Sequence, residues 1–158
     1  MNANPSLPPI GLELVSSAVI ELGEPQELGA VLTGHRRVIP IIGGTFTGAL
    51  LNATILPGGA DWQIVAVDGT AIIDTRYSAR THNGSLLYVS TAGFRHGPPE
   101  VLARLAAGEH VDPTEYIFRV TARLESGAPS LAWVNNTVFV AAAARFSSSV
   151  AYDLYAVR

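Results

Sequence analysis

A chain of 158 residues with 48% hydrophobic and only 15% charged side chains has ample material for one core and too few charges for a disordered protein. Its formal net charge is -3, and its ten basic residues, all arginine, are scattered from Arg36 to Arg158. That scatter lacks the clustered cations that neutralise phosphates, so no nucleic-acid partner is expected. Cysteine is absent, which excludes disulfides, thiolate metal sites, iron–sulfur clusters and cysteine nucleophiles.

Met1 to Gly11 has neither a basic start nor an apolar run with a cleavage site, and reads as a loosely ordered N-terminal segment rather than a signal peptide. No stretch approaches the roughly 20 apolar residues of a spanning helix, so no membrane partner and a cytoplasmic location are expected. Short β-branched and aromatic runs closed by turn residues then predict strands. Leu12 to Leu22 is the first, ended by Gly23-Glu24-Pro25. Gly34-His35-Arg36-Arg37 interrupts the next apolar stretch. Val38 to Leu56 carries Gly43, Gly44 and Gly48, the mark of bulges or close backbone approach. Asp61 to Val67, Thr70 to Thr81 and Ser85 to Thr91 form a meander through the hairpin turns Asp68-Gly69 and Asn83-Gly84. Pro99 to Ala107 reads as one short helix, with proline at its start and Gly108 past its end, and Val101, Leu102 and Leu105 on one face. Tyr116 to Leu124, Leu131 to Arg145 and Val150 to Val157 complete the strands. About eight strands with one helix predict a single all-β domain over residues 1–158, closed as an antiparallel barrel because an open sheet of that size leaves costly edges. The surplus of apolar residues calls for a ligand cavity or a homo-oligomer interface.

Six ordered motifs run through the chain: Gly43-Gly44-Thr45-Phe46-Thr47-Gly48, Leu56-Pro57-Gly58-Gly59-Ala60-Asp61-Trp62, Asp74-Thr75-Arg76-Tyr77, Gly93-Phe94-Arg95, Tyr116-Ile117-Phe118-Arg119 and Trp133-Val134-Asn135. Together they resemble the DUF 3237 family, small bacterial and fungal proteins that carry no assigned function, over nearly the whole chain. The resemblance implies a β-barrel of the calycin or allene-oxide-cyclase kind, often self-associating, with a central cavity. It transfers a shape rather than a mechanism, since similar barrels include carriers, dirigent-type proteins and cofactor-free cyclases and isomerases.

Strand parity sorts the candidate site residues into faces. Asp74 and Arg76 share one face of 70–81, either a polar wall of the lumen or an outer, solvated pair. Tyr88 shares a face with Leu86 and Ser90, Tyr116 with Phe118 and Val120, and Arg119 with Ile117 and Thr121. Trp133 and Asn135 fall on one face of 131–145, as an aromatic platform with an orienting amide or as core. Asp61-Trp62 follows a flexible turn. Asp61 there is either an acid–base group with a pKa raised by its apolar neighbour or a cap for backbone N–H groups. The four histidines, His35, His82, His96 and His110, lie in expected turns without ligand spacing, and no metal or cofactor is expected. These residues point to a small, largely apolar, carbonyl-containing metabolite processed by proton transfer in a cofactor-independent isomerase, cyclase or lyase. Asp61 or Asp74 would be the acid–base, Tyr88 or Tyr116 the donor to a carbonyl, and Arg76 or Arg119 the anchor for developing negative charge. Trp62, Tyr116, Arg119, Trp133 and Asn135 would bind the substrate. The alternative is a non-catalytic barrel, carrier or dirigent-like, that holds the same kind of molecule.

Overall fold

A computed structural model describes residues 5–158. Residues 1–4 of the expected loose segment lie outside the described residues; 5–10 are exposed and without regular structure. Order begins at Gly11, whose N–H and carbonyl both bond to Arg158 at 2.8 and 2.9 Å.

Ten strands follow: β1 (Leu12–Leu22), β2 (Gln26–Val31), β3 (Gly34–Thr47), β4 (Ala53–Ile55), β5 (Gly59–Val65), β6 (Ala71–Arg80), β7 (Leu86–His96), β8 (Ile117–Glu125), β9 (Phe139–Arg145) and β10 (Ser149–Val157). One helix, α1 (Pro99–Ala106), lies between β7 and β8. All pairings are antiparallel, and the circuit closes because β1 pairs with β10 on one edge and with β3 on the other. The barrel has eight staves. β2 continues the stave of β1 along β3, and β4 and β5 share the stave between β3 and β6, so two strands are extra to the eight.

Alternation along each strand divides its residues between the lumen and the exterior. Along β8, Phe118, Val120, Ala122 and Leu124 are buried while Ile117, Arg119, Thr121, Arg123 and Glu125 are not. The two hairpin turns form as expected, with Gly69 at φ +86° and Gly84 at φ +87°, conformations that cost glycine little. At Ile42-Gly43 the β1–β3 register slips, and β3 swaps its inward parity from Ile39 and Ile41 to Phe46.

One expected strand is not a strand in its first half. Pro129–Asn136 winds as a 3-10 segment with Leu131 and Val134 buried, and β9 begins only at Phe139. Proline at its first turn and apolar residues three apart suit one face of a 3-10 turn, where a strand would alternate. The histidine expectation also changes: His35 lies within β3 and His96 ends β7.

The two ends of the barrel differ. Leu51, Ile55, Leu87, Leu124, Val134, Phe139 and Leu154 fill the end covered by the 3-10 segment. At the other end α1 lies across the mouth with Val101 and Leu105 turned inward, and the lumen beneath it is hollow.

Candidate functional site

The hollow is a cavity of about 50 Å³ with mostly aliphatic walls, among them Ile20, Ile39, Ile41, Ile73 and Val120. Its floor is aromatic. The hydroxyls of Tyr77 and Tyr152 hydrogen-bond each other, and Phe46 stacks on Tyr77 at 6.5 Å and meets Tyr152 edge-on at 6.1 Å. Burial raises the pKa of both phenols, so both remain protonated donors. Thr75 and Thr91, register partners on β6 and β7, join hydroxyls at 2.5 Å on the wall.

Asp61 is the one carboxylate among the lining residues. It enters because the β5–β6 ladder opens between the Asp61–Thr75 and Ile64–Ile72 pairs, and its Oδ1 accepts the N–H of Asp74 at 3.0 Å. Its Oδ2 accepts from Gln63 Nε2 at 2.9 Å, and Gln63 Oε1 in turn accepts from Arg37 Nε at 2.8 Å. Burial raises the Asp61 pKa above the ordinary 3.8, against the lowering effect of these bonds and of Arg95 and Arg37 nearby. The two sequence readings of this residue therefore meet: it satisfies a backbone N–H and also carries a perturbed carboxyl.

Above the cavity lies a vestibule of about 680 Å³, walled by Val65, Gly69, Pro99, Leu102, Ala103 and Ala106. Arg95 and Arg145 line both spaces and so stand at the constriction between them. Arg95 is 8% exposed and lies 5.6 Å over the ring of Phe118; burial pushes its pKa down to about 10, and it stays a cation at neutral pH. Burial lowers Arg145 too, and its Nη1 is buried without a hydrogen-bond partner. Tyr116 is buried beside them, its hydroxyl accepting from the backbone N–H of Arg145 at 2.9 Å.

The other sequence candidates sit elsewhere. Asp74 and Arg76 form a 3.1 Å ion pair on the outer face of β6, half-exposed, because Ala71, Ile73, Thr75, Tyr77 and Ala79 take the inward parity. The polar-wall reading of that pair is thereby corrected. Trp62 is outside with them, its ring 5.4 Å beneath the Arg76 guanidinium. Tyr88 and Arg119 are on outer faces of β7 and β8. Trp133 packs on Phe139 at 6.0 Å at the filled end. Asn135 clamps Ser126, accepting its N–H at 2.9 Å and donating to its carbonyl at 2.8 Å. Of nine candidates, Asp61 and Tyr116 are near the cavity. Arg37, Gln63, Arg95 and Arg145 were missed, although parity with Ile39 and Ile41, with Leu87 and Val89, and with Phe139 and Ala141 marks three of them as inward. Among the described residues no group of three His, Asp or Glu side chains is placed to hold a metal ion, and no helix is long and apolar enough to cross a membrane.

These features define a class: small closed antiparallel barrels with an apolar, polar-studded lumen open at one end. Within that class the chain belongs to the protein of unknown function family DUF3237, whose model matches residues 10–157. A UPF0311 protein of Rhodopseudomonas palustris is 35% identical over 150 residues, covering 95% of this chain and 98% of that one. The crystal structure of a beta-barrel like protein from Acinetobacter baumannii is 45% identical with a TM-score of 0.87, covering 98% of this chain and all of that one. A structure described as an enzyme from Penicillium herquei is 16% identical with a TM-score of 0.69 over 98% of this chain and 99% of that one, a likeness of fold alone.

Proposed function

We propose that the barrel works as one unit, a cofactor-independent isomerase, cyclase or lyase that moves a proton on a small, largely apolar, carbonyl-containing metabolite held in the lumen. The observation that carries this reading is the buried Asp61 carboxyl, raised in pKa at the wall of an apolar cavity. A carboxyl whose pKa is raised is a stronger base than a solvated one, and so a better acceptor of a proton from carbon. The protonated Tyr77–Tyr152 pair supplies a donor toward a carbonyl oxygen, and Arg95 a charge toward which an enolate develops. A distant relative in fold that is described as an enzyme supports the reading at the level of fold only.

The experiment is native mass spectrometry of the purified protein to identify a co-purified molecule, then NMR of that molecule in D2O. Deuterium incorporation beside the carbonyl is expected with the wild type and at least 100-fold slower with Asp61→Asn. A second reading, a non-catalytic carrier or dirigent-like barrel, is favoured by one observation. Both Asp61 oxygens are already engaged, by Asp74 and Gln63, as in a structural tie. Under it the wild type incorporates no deuterium while the molecule stays bound. Self-association belongs to the same proposal. An outer groove of about 680 Å³ exposes Leu12, Ile72 and Phe94, and light scattering of the purified protein reads the assembly directly.

A further inference from the structure

The constriction holds more positive charge than its surroundings answer. Arg37, Arg95 and Arg145 converge on one carboxylate, Asp61. Arg37 is spent on Gln63 and lies 3.8 Å from Glu27 at the half-exposed rim. Among the described residues no ion pair reaches Arg95 or Arg145, and none is a hydrogen-bond partner of Arg145 Nη1. A chain of net charge -3 has acidic side chains to spare, yet sets Asp61 alone among the cavity-lining residues against these two guanidiniums. Buried cations that outnumber their counter-charges are unfavourable, and an anion arriving at the constriction balances them.

We propose that Arg95 and Arg145 form a carboxylate-binding fork, and that the lumen takes a small organic acid whose charged end sits at the constriction and whose apolar body fills the cavity below. Two planar guanidiniums saturate the two oxygens of a carboxylate. A phosphate would bring further charged oxygens to a cavity whose walls, among them Ile39, Ile73 and Val120, are mostly apolar. The body is small: about 50 Å³, at roughly 10–15 Å³ for each water-sized probe, admits about four non-hydrogen atoms. The inference rests on the lumen being the binding site, as in the proposed function, but not on Asp61 being catalytic.

The probes are isobutyrate, its uncharged counterpart isobutyramide, and inorganic phosphate, measured by calorimetry and by the guanidinium resonances of the arginine-labelled wild-type protein. Isobutyrate is expected to bind at least tenfold more tightly than isobutyramide and to move two guanidinium signals. Arg95→Gln and Arg145→Gln are each expected to weaken it at least tenfold. The wild-type resonances keep the test intact should either variant fail to fold. Equal binding of the amide, tighter binding of phosphate, unmoved guanidinium signals, or no binding of isobutyrate overturns the fork. Asp61→Asn removes the negative charge that faces both guanidiniums, so it is expected to bind isobutyrate at least as tightly as the wild type. Absent deuterium exchange with isobutyrate still bound therefore removes the catalytic reading alone, and the converse removes the fork alone.

Discussion

The carboxyl of Asp61 couples folding to pH with a definite sign. Its pKa is raised in the folded state, so the native protein holds a proton that the unfolded chain has released. The stabilisation is present in acid and is lost as pH rises from about the unfolded value through the folded one. Stability of the wild type minus that of Asp61→Asn is expected to fall as pH rises above about 4 in urea titrations, and a flat difference would refute the assignment. Asn135 answers a different question. As a clamp on Ser126 its replacement by alanine is expected to cost about 1–2 kcal/mol by denaturant unfolding and to leave isobutyrate affinity unchanged. Asp61 was legible in the sequence because it follows a turn and precedes an alternating run. Arg95 and Arg145 carry no comparable local signal, although their parity with aliphatic neighbours places them inside. Asp74 and Arg76 show the converse: parity pairs two residues on one face without saying whether that face is the lumen.

At the scale of elements, the runs bounded by glycine and proline appear as strands, and the glycines inside β3 and β7 prove to be steric requirements. A Cβ on Gly44, at φ +133°, would stand 2.1 Å from the carbonyl oxygen of Val19, and one on Gly93 would stand 2.1 Å from that of Arg119. Gly44→Ala is expected to destabilise by about 3 kcal/mol or more, with a lowered Tm as the readout. The segment 131–136 misled because alternating apolar residues can also be read at a spacing of three, and only Pro129 argued for the 3-10 turn. β2 was hidden in an apolar stretch. It pairs only with β3, so its amides facing away from β3 are expected to exchange with deuterium far faster than those of β1, which is paired on both edges.

For the whole molecule, closure joins the two ends of the chain: β1 pairs with β10 from Leu12 to Glu21, and Gly11 pairs with Arg158. Such a circuit has no stave that can be lost alone. Deletion of residues 150–158 is expected to abolish cooperative thermal unfolding, as followed by circular dichroism, rather than merely lower the midpoint. Closure was legible from strand number and edge economy, whereas the asymmetry between a filled and a hollow end was not. It arises where residues far apart in the chain meet, such as Tyr77 bonded to Tyr152 and Arg95 lining the same two spaces as Arg145.

The position of those two arginines also bears on time as well as affinity. Because they line both the vestibule and the cavity, a molecule entering by the proposed route would pass two positive charges set in low-dielectric walls. Under the proposed fork the doorway would act as a kinetic filter, drawing anions through, giving neutral molecules nothing and turning cations back. Added salt, by screening the approach more than the buried contact, slows arrival while leaving residence nearly untouched.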